Sequence, residues 1–81
     1  MINPVTKIRK EKELTITEFA KIAGVGFSTL QNIEKSRTVN VNKKVLELLE
    51  KMGYNKEQIL EEYKAYKKAE QEELLMKVIK K

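Results

Sequence analysis

ELTITEFAKIAGVGFSTLQNIEKSR, Glu13 to Arg37, is the stretch on which the fold turns. Thr15 to Glu18 reads T-x-x-E, a capping box in which each side chain satisfies the other residue's backbone amide. Phe19, Ala20, Ile22 and Ala23 follow at helical spacing, so a helix is expected over about Ile16 to Ala23. Gly24, Val25 and Gly26 then break it, because Gly24 can take the left-handed conformation that ends a helix without a steric cost. Beyond this tight turn, Leu30 and Ile33 are an apolar pair in a run otherwise made of Ser, Thr, Gln, Asn, Glu and Lys. The second helix, about Phe27 to Lys35, is therefore expected to be short, held by few residues and polar around most of its circumference.

Working outward, Asn3 followed by Pro4 is a helix start, with an Asn cap and a proline in the first turn, and predicts a helix over about Pro4 to Glu13. On the other side, Ser36 to Asn42 has no clear period and suits a loop. Val45, Leu46, Leu48, Leu49 and Met52 mark a further helix, capped by Asn40 or Asn42 and stopped by Gly53. Asn55 to Gln58 is another capping signal, and nothing after it breaks a helix through Lys81, which would make 27 residues and about 40 Å.

This last stretch carries two apolar clusters. Ile59, Tyr63 and Tyr66 form one stripe at i, i+4 and i+7, expected to close the core. Leu74, Leu75, Val78 and Ile79 form a second, about a quarter turn away at roughly 100° per residue, so one straight helix cannot bury both on the same surface. Two helical segments with different partners, or one long helix whose tail meets another subunit, would resolve this. A two-fold homodimer is the favoured expectation; a bound effector or a protein partner, and a tail folded back on its own domain, are the alternatives.

Composition narrows the chemistry. A chain of 81 residues holds one compact helical domain and one appended element. There is no Cys and no His, every acidic residue is Glu, and no glycine-rich run follows a strand pattern. No catalytic site, metal site or cofactor is therefore expected, and the chain does not read as an enzyme. Met1 to Lys12 is polar and charged, resembling neither a secretory signal nor a membrane span, so a cytoplasmic protein with no membrane association is expected. The net charge of +5 favours a polyanionic partner, and the excess lies in Met1 to Tyr54, with 10 Lys and Arg against 6 Glu.

Two short helices joined by a glycine-containing turn, the second polar outside, are what reading a DNA groove requires: the first braces and the second inserts. Glu13 to Arg37 also resembles the Cro/C1-type (XRE) helix-turn-helix regulators, whose recurring pattern is a leucine, a Ser or Thr cap, E-L-A, then G-V-S, a Ser/Thr-x-Ile step and I-E-x-G. The resemblance covers about Ile8 to Tyr54 and rests on the spacing of Ala20, Gly24, Val25, Leu30, Ile33 and Glu34. It implies an all-α, five-helix domain of the lambda-repressor-like type over residues 1–66, with a C-terminal helical extension over 67–81.

The same resemblance implies a sequence-specific regulator of double-stranded DNA, a repressor of bacterial, phage or mobile-element genes. Base contacts would come from Phe27, Ser28, Gln31 and Asn32, since Gln and Asn amides pair bidentately with adenine and a phenyl ring touches a thymine methyl. Backbone contacts would come from Thr15 and Thr17 at the start of the bracing helix, and from Lys35, Arg37, Asn40 and Lys43 around the following loop. Arg9 falls where the family often has an arginine paired with the glutamate matched here by Glu34, which implies a structural ion pair between the first and third helices. Leu74, Leu75, Val78 and Ile79 would be a dimer or partner surface.

Other readings start from the same residues. Ala20, Val25, Leu30 and Ile33 would serve the core of any helical bundle, so they speak for fold and not for binding. An antitoxin-like or other protein-interaction module on this scaffold would bind a protein through Leu74 to Ile79 and DNA second, and a nucleoid binder would hold any sequence alike. The chain also departs from the family pattern. Ile16 stands where a phosphate-contacting Gln is frequent, Ser36 replaces the usual Gly, and the Pro common before the fourth helix is missing. Gly26 replaces a Ser or Thr cap, so the third helix starts either at a weak Gly26 cap or late, from Ser28 with Gln31.

Overall fold

The computed structural model describes residues 2–79, and among these the order is α1 (Pro4–Glu11), α2 (Ile16–Ala23), α3 (Phe27–Glu34), α4 (Lys43–Lys51) and α5 (Lys56–Ile79), with no strand. Each helix begins where the chain supplies a local acceptor. Asn3 Oδ1 accepts from the Val5 amide at 2.9 Å, Asn42 Oδ1 from Lys44 at 2.8 Å, and Asn55 Oδ1 from Gln58 at 2.9 Å. Thr15 and Glu18 form the full capping box, with the Thr15 amide to Glu18 Oε1 at 2.9 Å and the Glu18 amide to Thr15 Oγ1 at 3.1 Å. Only α3 starts without a side-chain cap: Gly26 takes the N-cap position and the helix begins at Phe27, not late at Ser28.

The C-termini are less regular. Gly24 ends α2 at φ 76, with the Val25 amide closing back on the Ala20 carbonyl at 3.0 Å. Gly53 does the same for α4 at φ 97. Two non-glycine residues take left-handed backbone as well. Glu13, at φ 56, turns the chain so that the Leu14 amide reaches the Arg9 carbonyl, and α1 ends at Glu11 where the sequence pattern alone extends it to Glu13. Ser36, at φ 57, ends α3 by the same device, with the Arg37 amide on the Asn32 carbonyl at 2.9 Å. This is the position where a glycine is usual, and Ser36 adopts the glycine conformation.

The core draws on every helix: Val5 and Ile8 from α1, Phe19 and Ala20 from α2, Leu30 and Ile33 from α3, Val45, Leu46 and Leu49 from α4, and Ile59 and Tyr63 from α5, with Val41 from the preceding loop. Ile22, grouped by its spacing with the apolar residues of α2, instead stands 55% exposed. α5 is one uninterrupted helix of 24 residues, about 36 Å long. Its first half closes the core through Ile59 and Tyr63, with Tyr66 half-buried. Its second half runs on past the core, and Leu74, Leu75, Val78 and Ile79 are 56–77% exposed; the tail does not fold back. No described helix is long and apolar enough to cross a membrane.

Candidate nucleic-acid interface

α3 is anchored on one side only. Leu30 and Ile33 are at most 1% exposed, while Phe27 is 46% exposed, Ser28 is exposed, and Gln31 and Asn32 are half-buried. The Gln31 and Asn32 amide groups have no hydrogen-bond partner among the described residues, so their donors and acceptors stay available to a ligand. Gln31 follows Phe27 and Ser28 at the four- and three-residue steps that share a helix face, and Asn32 follows Ser28 at the four-residue step.

Three groups fix where this helix ends. Asn3 Nδ2 donates to the Ile33 carbonyl at 2.9 Å and lies 3.2 Å from the Glu34 carbonyl, closing two of the orphan acceptors of the last turn. The Tyr63 hydroxyl lies 3.3 Å from the same Ile33 carbonyl and 3.0 Å from both the Thr38 carbonyl and the Thr38 hydroxyl. Lys67 Nζ donates to the Thr38 carbonyl at 2.6 Å. The loop after α3 is thus stitched to α5, and neither Asn3 nor Tyr63 had a signal in the sequence for this duty beyond its local one.

Arg9 and Glu34 meet in a two-pronged ion pair, Nε to Oε2 at 2.9 Å and Nη2 to Oε1 at 3.0 Å, with side chains 13% and 7% exposed. Thr6 Oγ1 donates to Glu34 Oε1 at 2.9 Å, and Arg9 Nη1 donates to the Leu14 carbonyl at 2.8 Å. Arg9 therefore ties the end of α3 to the residue just before the α2 cap. Thr15 and Thr17 are both exposed at the start of α2.

The other end of α3 is bracketed by α4. Lys44 Nζ donates to the Gly24 carbonyl at 3.4 Å, so the start of α4, with Lys43 exposed at its first position, sits beside the α2–α3 turn. Lys35, Arg37 and Asn40 are exposed at the end of α3 and along the following loop. Neutral and cationic donors thus flank α3 at both ends, and the helix shows amides, a hydroxyl and an aromatic ring between them. Such a surface suits a polyanion whose charged backbone flanks hydrogen-bonding and apolar edges. Among the described residues no group of His, Cys, Asp or Glu is placed to hold a metal ion.

No curated protein and no solved structure matches the chain. A helix-turn-helix family model matches residues 5–53, which span α1 to the end of α4 and so contain the paired helices, the Arg9–Glu34 tie and the bracketing loop. With more than half of its length inside that match and its bracing and recognition helices in place, the chain belongs to the Cro/C1-type (XRE) helix-turn-helix family of DNA-binding proteins.

Proposed function

We propose that the protein is a sequence-specific regulator of transcription, a repressor of bacterial, phage or mobile-element genes, which lays α3 in the major groove of double-stranded DNA. One observation carries this reading. α3 is held at its C-terminal end and along its buried face, while the Gln31 and Asn32 amides, without a partner among the described residues, stand beside exposed Phe27 and Ser28. A merely solvated helix needs no such bracing. In this reading Phe27, Ser28, Gln31 and Asn32 touch base edges, and Thr15, Thr17, Lys35, Arg37, Asn40 and Lys43 touch the sugar-phosphate backbone. Residues 1–66 are the DNA-binding unit and 67–81 an extension through which two copies associate, in keeping with inverted half-sites roughly 34 Å apart. The protein acts in the cytoplasm and by binding, without catalysis or cofactor.

The exposed Leu74, Leu75, Val78 and Ile79 favour a second reading, an antitoxin-like module that binds a different protein through this tail. Selection of genomic fragments with the purified protein, followed by binding to the recovered site and to scrambled DNA at several salt concentrations, separates the readings. A recurring motif of two inverted half-sites, preferred over scrambled DNA, is the expected result. Equal affinity for any sequence would turn the reading into that of a nucleoid binder. Specific binding retained without the tail, together with loss of a co-purifying protein, would favour the antitoxin-like module.

A further inference from the structure

The face of α5 turned away from the core presents an ordered seam. Glu61, Ala65, Lys68, Glu72, Leu75 and Ile79 succeed one another at alternating steps of four and three, and all six are exposed. That alternation keeps one line of an α-helix facing a helical neighbour over many turns. The seam is distinct from the face that Ile59 and Tyr63 bury. A line of this kind is one along which a second helix can pack.

Charge identifies that helix and its direction. Along α5 the sign alternates in blocks, from Glu61 and Glu62, through the lysines of 64–68, to the glutamates of 70–73 and then Lys77. A second copy laid parallel and in register would set Lys68 on Lys68 and Glu72 on Glu72. Turned antiparallel about residue 70, the same seam maps onto itself with its central charges, Lys68 and Glu72, opposed. Ala65 then faces Leu75 of the partner subunit, Lys68 faces the partner's Glu72, and Glu61 comes level with the partner's Ile79 at the edge of the contact. In this register each apolar tail, where Leu74, Leu75, Met76, Val78 and Ile79 are all at least 56% exposed, runs alongside residues 61–66 of the other α5. There Ile2, Lys7, Glu62 and Ala65 line a groove between the start of the chain and α5, with Ile2 48% exposed.

We infer that a second copy of this chain covers this face, the two α5 helices packing antiparallel about residue 70 with Lys68 against the partner's Glu72 and each apolar tail seated beside the other's Ile2 and Ala65. The inference rests on the homodimer reading above and adds its location and polarity.

The test uses the full chain. Sedimentation equilibrium is expected to give the mass of two chains for the parent, and of one chain for Leu75→Glu and Ile79→Glu, with helix content by circular dichroism unchanged because both positions are exposed. Lys68→Glu and Glu72→Lys should each weaken association at least tenfold, and their combination should restore it. The chain has no Cys, so single Cys substitutions report neighbours cleanly. Lys68→Cys and Glu72→Cys should cross-link when mixed and refolded together, and neither should cross-link with itself. Self-cross-linking of Lys68→Cys without the mixed product would overturn the inference while leaving the homodimer standing. A monomeric parent, with or without a captured foreign protein, would overturn both; binding of that monomer to a single half-site would still leave the DNA reading intact. A trapped antiparallel dimer that selects no DNA would support the inference and sink the DNA reading alone.

Discussion

The side-chain amide of Asn3 donates to the main-chain carbonyl of Ile33 at 2.9 Å, so the residue that opens α1 also closes α3. The same side chain accepts from the Val5 amide through its oxygen, and it is 2% exposed. Its two ends are thus used in opposite senses, which a carboxamide can do and an ionised carboxylate cannot.

Asn3→Ala should therefore lose both an N-cap, about 1 kcal/mol, and a buried bond to an orphan carbonyl, about 1–3 kcal/mol. A total of about 2–4 kcal/mol is a large share of the roughly 4–12 kcal/mol expected for a chain of this length. Asn3→Asp keeps the cap but turns a carboxylate oxygen toward the Ile33 and Glu34 carbonyls. It should be destabilised at neutral pH and recover relative to the parent as acid protonates the new carboxyl. Urea denaturation at two pH values checks this, and an Asn3→Asp variant as stable as the parent at neutral pH would refute the double role.

The Arg9–Glu34 pair is largely buried, and its worth lies in what is left when one member goes. Glu34→Ala strands a guanidinium among groups that cannot neutralise it, at a cost of about 3 kcal/mol. Replacing both with apolar residues, Arg9→Met with Glu34→Leu, should cost less than Glu34→Ala alone, because no buried charge is left unpaired. The base preference of the folded variants should match the parent's, since neither side chain is on the exposed face of α3. Equal melting temperatures for Glu34→Ala and the parent would show that the pair contributes nothing.

Glu13 and Ser36 hold left-handed backbone at φ 56 and 57. Such a conformation costs a non-glycine residue about 1–2 kcal/mol, part of which a glycine gives back through its larger unfolded-state freedom. Glu13→Gly and Ser36→Gly should each gain about 0.5–1 kcal/mol, or a few degrees in Tm. The gain should be smaller at Ser36, whose hydroxyl lies 3.4 Å from Asn3 Nδ2. Thermal melts settle it, and a loss at Glu13 would mean that its side chain stabilises the turn in a way its exposure does not reveal.

The pattern of legibility follows from range. Signals completed within four residues could be read directly: the Thr15–Glu18 box, the Asn42 and Asn55 caps, the Gly24 and Gly53 stops, and the Leu30–Ile33 anchor of α3. What Asn3, Tyr63 and Lys67 do for the end of α3 could not be read, because each bond spans about thirty residues and leaves no periodicity. Glu13 and Ser36 carry no glycine to announce their turns, so α1 reads two residues too long. Ile22 fits the α2 spacing, yet its side chain is exposed, since spacing fixes a face only approximately. The two stripes of α5 are visible in the sequence, but nothing local says what would cover the second, which stands exposed. For the same reason, which residues of 27–32 would touch bases depends on a ligand that local pattern does not specify.

That last dependence can be resolved by salt. If Lys35, Arg37 and Lys43 each neutralise a phosphate, replacing any one with Gln should weaken binding to every sequence alike and lower the slope of log affinity against log salt by about 0.9. Thr15→Ala, Thr17→Val and Asn40→Ala remove neutral donors, so they should weaken binding with the slope unchanged; at Thr15 the capping box is lost too, and stability must be measured alongside. Gln31→Ala and Asn32→Ala should behave differently from both sets, leaving the slope and the affinity for scrambled DNA as they were while losing about 1–3 kcal/mol of discrimination at one or two base pairs. Isothermal titrations or gel shifts over a range of salt sort all eight variants. If Gln31→Ala and Asn32→Ala left discrimination untouched, the exposed face of α3 would be a solvated surface, and base reading would have to be sought in Phe27 and Ser28.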